Sequence, residues 1–141
     1  MGFRFKVTGG NDVEFDETII TAVEFVSDTP DASNARSNDL GVILKVTGRI
    51  NFSLGAEVDD STVELANWAL MASDQADCYR EAQVQVINGG QIIRQYTYPN
   101  AFVMGYTEDL DDGEGVGTFV LTLKQKKDLT TKVELKGNFE E

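Results

Sequence analysis

The stretch Val42–Leu54 (VILKVTGRINFSL) constrains this chain more than any other. Val42, Leu44, Val46, Ile50, Phe52 and Leu54 share one parity. Lys45, Thr47, Arg49, Asn51 and Ser53 share the other, with Ile43 the exception. Such alternation marks a strand with one face in a core and one in water. At ~3.3 Å per residue the run spans roughly 40 Å if straight. That exceeds what a small flat core needs, so a curved or barrel-like wall is expected. Gly48 falls on the apolar parity, where it marks a bulge or a close backbone approach.

The rest of the chain repeats this grammar. Phe3, Phe5 and Val7 alternate with Arg4, Lys6 and Thr8. Thr18–Val26 is β-rich but blurred: Ile19, Val23 and Phe25 lie on one face, Ile20, Ala22 and Val26 on the other. A strand covered on both faces reads this way. Tyr79–Ile87 sets Ala82, Val84 and Val86 against Glu81, Gln83 and Gln85, and Asn88-Gly89-Gly90 predicts a tight hairpin. Gln91–Tyr98 returns and Pro99-Asn100 ends it. Ala101–Thr107 is apolar on both faces, and Glu108–Gly117 reads as an acidic, glycine-rich loop. Thr118–Lys126 alternates, and Val133 and Leu135 mark a last short strand. The sum is about eight strands in one domain, residues 1–141, folded as a mainly β sandwich or barrel.

One segment breaks the pattern. Asp59–Ser73 is the only convincing helix, expected over about 61–73. Ser61 and Glu64 have capping-box spacing, and Asp59 and Asp60 favour the positive end of the helix dipole. Leu65, Trp68, Ala69 and Ala72 form an apolar face, which Met71 widens; Val63, Ala66 and Leu70 form a second stripe beside it. So much apolar girth fits a helix sunk into its own domain, or one packed on its sheet and covered by another subunit.

Composition narrows the function. The chain has 141 residues, a formal charge of -12 and no histidine. The acidity argues against a basic nucleic-acid grip. Without histidine, Ser–His and Cys–His nucleophile schemes are impossible. A calcium reading of Asp109, Asp111, Asp112 and Glu114 fails on spacing, since Glu114 stands where an EF-hand needs Gly and Val120 where it needs Glu. Gly113–Gly117 joins strand to strand with no following helix, so it makes no phosphate cradle. Cys78, the one cysteine, reads as structural. No apolar run approaches membrane-span length, and MGFRFKVTGG carries neither an apolar signal core nor a myristoylation pattern. No catalytic, cofactor or metal residues are expected.

Two features stay open. Ser27–Gly41 (SDTPDASNARSNDLG) is almost without apolar residues, so it is a surface loop or an extended intersubunit arm. Lys124, Lys126, Lys127, Lys132 and Lys136 form a solvated face or a basic patch that meets an acidic neighbour.

The order of elements resembles a known family. A long β region, a polar arm, a helix with Leu65-Ala66-Asn67-Trp68-Ala69-Leu70 and a strand opened by Tyr79-Arg80 come first. Ile93-Arg94-Gln95-Tyr96, Tyr98-Pro99-Asn100-Ala101-Phe102, an acidic-glycine loop and Thr118-Phe119 with Leu121–Lys126 follow. This is similar to the tail-tube proteins of contractile phage tails and related injection systems, including the Hcp-type tube protein of type VI secretion. The resemblance implies a β-sandwich or barrel-like fold with one flanking helix, and a structural, non-enzymatic role. It implies six-membered rings stacking into an inner tube, with a sheath, baseplate or spike proteins and cargo as partners. Assembly in the bacterial cytoplasm and residence in a virion tail or secreted particle follow. In this light Asp31, Ser33, Asn34, Arg36 and Asn38 of the arm, with Val63, Ala66 and Leu70, are candidate interface residues. Lys45, Thr47, Arg49 and Asn51, or Gln83 and Gln85, are candidates for a polar lumen. The rival expectation is a non-enzymatic β-sandwich module for a ligand or carbohydrate, resting on exposed Tyr96, Tyr98 and Tyr106.

Overall fold

The computed structural model describes residues 1–9, 12–28, 41–51, 62–71, 78–110, 116–126 and 133–140. Among them are eight strands and one helix: β1 (Gly2–Thr8), β2 (Val13–Phe15), β3 (Ile20–Asp28), β4 (Gly41–Asn51), α1 (Thr62–Ala69), β5 (Arg80–Asn88), β6 (Gln91–Leu110), β7 (Val116–Gln125) and β8 (Glu134–Glu140). All pairings are antiparallel. The order is β2-β1-β5-β6-β7-β4-β3, with β8 pairing β6 off this path. The mainly β architecture with one helix is the one expected.

β6 organises the molecule. One edge pairs with β5 from Gln91 to Ala101. The other pairs first with β8, over Gln91–Thr97, and then with β7, over Ala101–Leu110. One strand thus serves two halves of a folded-over sheet, whose inner faces meet. Phe15 on β2 lies 5.9 Å from Phe119 on β7, and Phe25 on β3 stacks 5.1 Å from Tyr96 on β6. The core between them includes Phe5, Val7, Leu44, Val46, Val84, Tyr98, Phe119, Leu121 and Leu123.

Several expectations change here, each for a physical reason. Pro99-Asn100 does not end a strand; Gln91–Tyr98 and Ala101–Thr107 are one. The register slips there, Ala82 pairing with Tyr98 and Arg80 with Ala101. Proline is tolerated at such a bulge because no ladder donor is needed. The Asn100 amide instead donates to the buried Gln125 Oε1 at 3.0 Å, and Lys126 N donates back to Asn100 O at 2.9 Å.

The blurred alternation of Thr18–Val26 also has a cause other than two covered faces. Ile20 pairs with Gly48 and Ala22 with Thr47, so Thr21 is an inserted residue. After it the parity flips, and Ile20, Val23 and Phe25 point into the core while Ala22 and Glu24 are exposed. Gly48 lies opposite this bulge. A Cβ there would meet Phe119 Cε2 at 2.5 Å, so the glycine makes room for the ring.

The acidic segment is strand as far as Leu110, with Glu108 opposite Phe119 and Asp109 opposite Thr118. β8 runs on through Gly137, and the short β2 was not anticipated at all. Asn88-Gly89-Gly90 does turn as expected. Gly89 and Gly90 have φ of 60° and 77°, the left-handed pair a two-residue hairpin favours. No helix among the described residues is long and apolar enough to cross a membrane.

Candidate assembly surfaces

α1 is fixed to the sheet by its first stripe. Leu65 and Trp68 are buried, and Thr62 joins them. Trp68 Nε1 donates to Cys78 O at 2.7 Å, so the indole is satisfied inside the protein. The buried Arg80 guanidinium lies 5.4 Å from the Trp68 ring centre, and Met71 packs against the core beside it. These contacts tie the helix to the start of β5. The final turn tightens, with Leu70 N bonding Asn67 O and Met71 N bonding Trp68 O. The helix therefore ends at Ala69, shorter than the expected 61–73. Ser61, Ala72 and Ser73, which the expected helix included, lie outside the described residues.

The second stripe faces out. Leu70 is 84% exposed and Val63 51%, while Ala66 is half-buried. Ala66, Ala69 and Leu70 form one wall of a groove of about 410 Å³, and Val103–Tyr106 and Glu108 form the other. A bulge at Met104 shapes that wall: Val103 pairs with Leu123 and Gly105 with Thr122. Met104 and Leu110 are exposed apolar residues that alternation alone did not single out. The Tyr106 hydroxyl donates to Glu108 Oε1 at 2.6 Å on the groove's rim.

The expected lumen residues fall on two outward faces. Lys45 and Arg49 are exposed and Thr47 half-buried on β4; Asn51 ends that strand. Gln83 and Gln85, both half-buried, lie on β5. Gln83 Nε2 donates to Thr97 Oγ1 at 3.4 Å, and Gln85 Nε2 to Gln95 Oε1 at 2.8 Å. Lys6 and Arg4 sit beside these amides in register on β1. Asp31, Ser33, Asn34, Arg36 and Asn38 lie outside the described residues.

The rival's aromatic platform is absent. Tyr96 and Tyr98 are buried under Phe25, and Tyr106 is half-buried in a stack on Phe119. Burial, with the neighbouring Tyr96, pushes the Tyr98 phenol well above the usual tyrosine range. No group of three or more His, Cys, Asp or Glu side chains among the described residues could hold a metal ion.

No family model and no curated protein matches the chain in sequence. Its fold is matched by solved structures. Hcp1 from Flavobacterium johnsoniae aligns over 100% of both chains, with a TM-score of 0.55 and 14% identity. A chain of the six-fold symmetrised cryo-EM structure of the anti-feeding prophage baseplate aligns over 96% of this chain and 93% of its own, with a TM-score of 0.55 and 16% identity. Hcp1 from Salmonella typhimurium covers 87% and 81% with a TM-score of 0.52 and 13% identity. The chain therefore has the Hcp-like fold.

Proposed function

We propose that this protein is a structural, non-enzymatic subunit of the inner tube of a contractile injection system. In this reading six copies close into a ring and rings stack into a tube that conducts DNA or protein cargo. A sheath surrounds the tube, which meets baseplate or spike proteins at its end. The tube assembles in the bacterial cytoplasm and travels in a virion tail or secreted particle.

The observation that carries this is the end-to-end fold match to Hcp1, the full length of one chain on the full length of the other. The surface agrees with it. The helix buries one stripe and leaves Val63 and Leu70 uncovered, as an assembly subunit would. One of the two outward faces lines the channel: Lys45, Thr47, Arg49 and Asn51 of β4, or Gln83 and Gln85 of β5. Both are polar, and a net charge of -12 discourages anionic cargo from sticking. The arm at Ser27–Gly41, with Asp31, Ser33, Asn34, Arg36 and Asn38, bridges to the next ring.

Sedimentation of the purified protein tests the reading. It predicts a species of six times 15.5 kDa and larger stacks of it. Deleting Asp31–Asn38 should abolish the stacks and keep the fold. A monomer at every concentration would refute the proposal.

A further inference from the structure

We infer that copies of this chain meet head to tail along β6: the α1–β6 groove of one copy receives the Leu135 end of the next. The inference rests on the tube reading and adds the residues that touch.

The described apolar side chains that are large and more than half exposed are Met1, Val63, Leu70, Met104, Leu110 and Leu135. They are not scattered. Val63 and Leu70 lie on α1 and the turn that ends it, and Met104 and Leu110 on the C-terminal half of β6; Leu70 and Met104 line the groove between them. Leu135 lies at the other end, opposite Tyr96 in the β6–β8 register. Eight residues of strand separate Tyr96 from Met104, about 26 Å at the usual rise.

Leu135 is exposed for a structural reason. It shares a face with Tyr96, which Phe25 of the opposing half covers at 5.1 Å. β3, which carries Phe25, is the last strand of that half, so β8 overhangs the core. The core-side leucine of the overhang, 53% exposed, has no sheet of its own to pack on.

The two ends differ in shape and in charge. The groove is concave, and the Glu108 carboxylate stands on its rim. The Leu135 end is a projecting edge, and the exposed Arg94 occupies the next rung of the same face, opposite Gly137. A groove with an acidic rim cannot seat another such groove, but it fits an apolar edge beside an arginine. A contact between unlike patches repeats from copy to copy, closing as a ring or running on as a filament.

Mixed cross-linking tests the assignment. Two half-exposed positions are changed in separate samples, Leu135→Cys in one and Met104→Cys in the other; the native Cys78 is buried. Emission from the single tryptophan, Trp68, verifies that each variant is folded. On oxidation the mixture should give a band at twice 15.5 kDa that neither sample gives alone. Adding Arg94→Glu to the first variant, or Glu108→Lys to the second, should cut that band at least about tenfold at low salt. Combining both reversals should restore it. Dimers from either sample alone, or no mixed band from a protein whose wild type forms rings or tubes, would overturn this contact and leave the tube reading standing. A wild type that stays at 15.5 kDa would overturn both.

Discussion

Two leucines five residues apart, Leu65 within α1 and Leu70 just past its end, separate folding from assembly. Leu65 is 1% exposed and Leu70 84%. Truncating Leu65→Ala removes buried methyl groups beside Trp68 and leaves a cavity, at a cost of about 2–5 kcal/mol. In a chain of this length that lowers Tm by roughly 5–15 °C. Leu70→Lys removes no buried contact. Leu70 lies just past the helix, and a cation at that C-terminal end complements the macrodipole, where the last turn has no basic residue. Monomer stability should therefore change by less than about 0.5 kcal/mol. A charge placed in a covered apolar stripe would nevertheless prevent association. Thermal melts followed by Trp68 emission give stability, and sedimentation at the same concentration gives assembly. The pair should split cleanly: Leu65→Ala melts early, while Leu70→Lys melts like wild type but does not assemble. A Leu70→Lys protein that unfolds would show that the second stripe belongs to the core, and one that assembles normally would show that it is solvent.

Three further perturbations follow from local geometry. Gly48→Ala forces a methyl onto the Phe119 ring, which is 0% exposed and hemmed in, so a loss of about 1–3 kcal/mol is expected in a urea melt; an unchanged midpoint would refute the close approach. The Tyr98 hydroxyl is buried without a hydrogen-bond partner among the described residues. Tyr98→Phe should therefore stabilise by about 1 kcal/mol, since the desolvated hydroxyl is the group removed. Because the folded-state phenol titrates above its unfolded value, Tyr98 contributes stability that is lost as pH rises past about 10, and the variant should lose less of its own between pH 9 and 11. Equal alkaline limbs in chemical melts would contradict this. Asp16 accepts from the Thr18 hydroxyl and amide at 2.5 and 2.9 Å, and these bonds hold its carboxyl below the ordinary range. Its contribution is present above its unfolded value near 3.8 and fades as pH falls below it. Asp16→Asn should flatten the acid limb slightly between pH 5 and 2; a wild-type limb would remove the turn from the account.

The period-2 runs were legible because one face of each packs in the core while the alternate residues face water. Val42–Ile50, Ala82–Val86 and Phe119–Leu123 all turned out as their alternation reads. What misled was insertion. Thr21, Met104 and the Pro99-Asn100 step each add a residue, and one extra residue exchanges the faces. Proline then looked like a terminator, although the Gln125 side chain accepts the Asn100 amide in place of a ladder carbonyl. That partner is 25 residues away and no local pattern announces it. Val13–Phe15 was missed because three residues carry too little periodicity to register. Of the assembly surfaces, the helix's two stripes could be read from spacing. Their fates could not, because Leu65 and Leu70 are equally apolar and only the position of β6 decides which is covered. Leu135 is the mirror case: its parity is that of a core residue, and only the end of the opposing half at β3 exposes it.

The central claim is that this chain builds a tube, and electron microscopy of negatively stained protein tests it most directly. Purified protein at high concentration should show six-fold rings face on and stacked rings in side view. A field of uniform particles of single-chain size would contradict it.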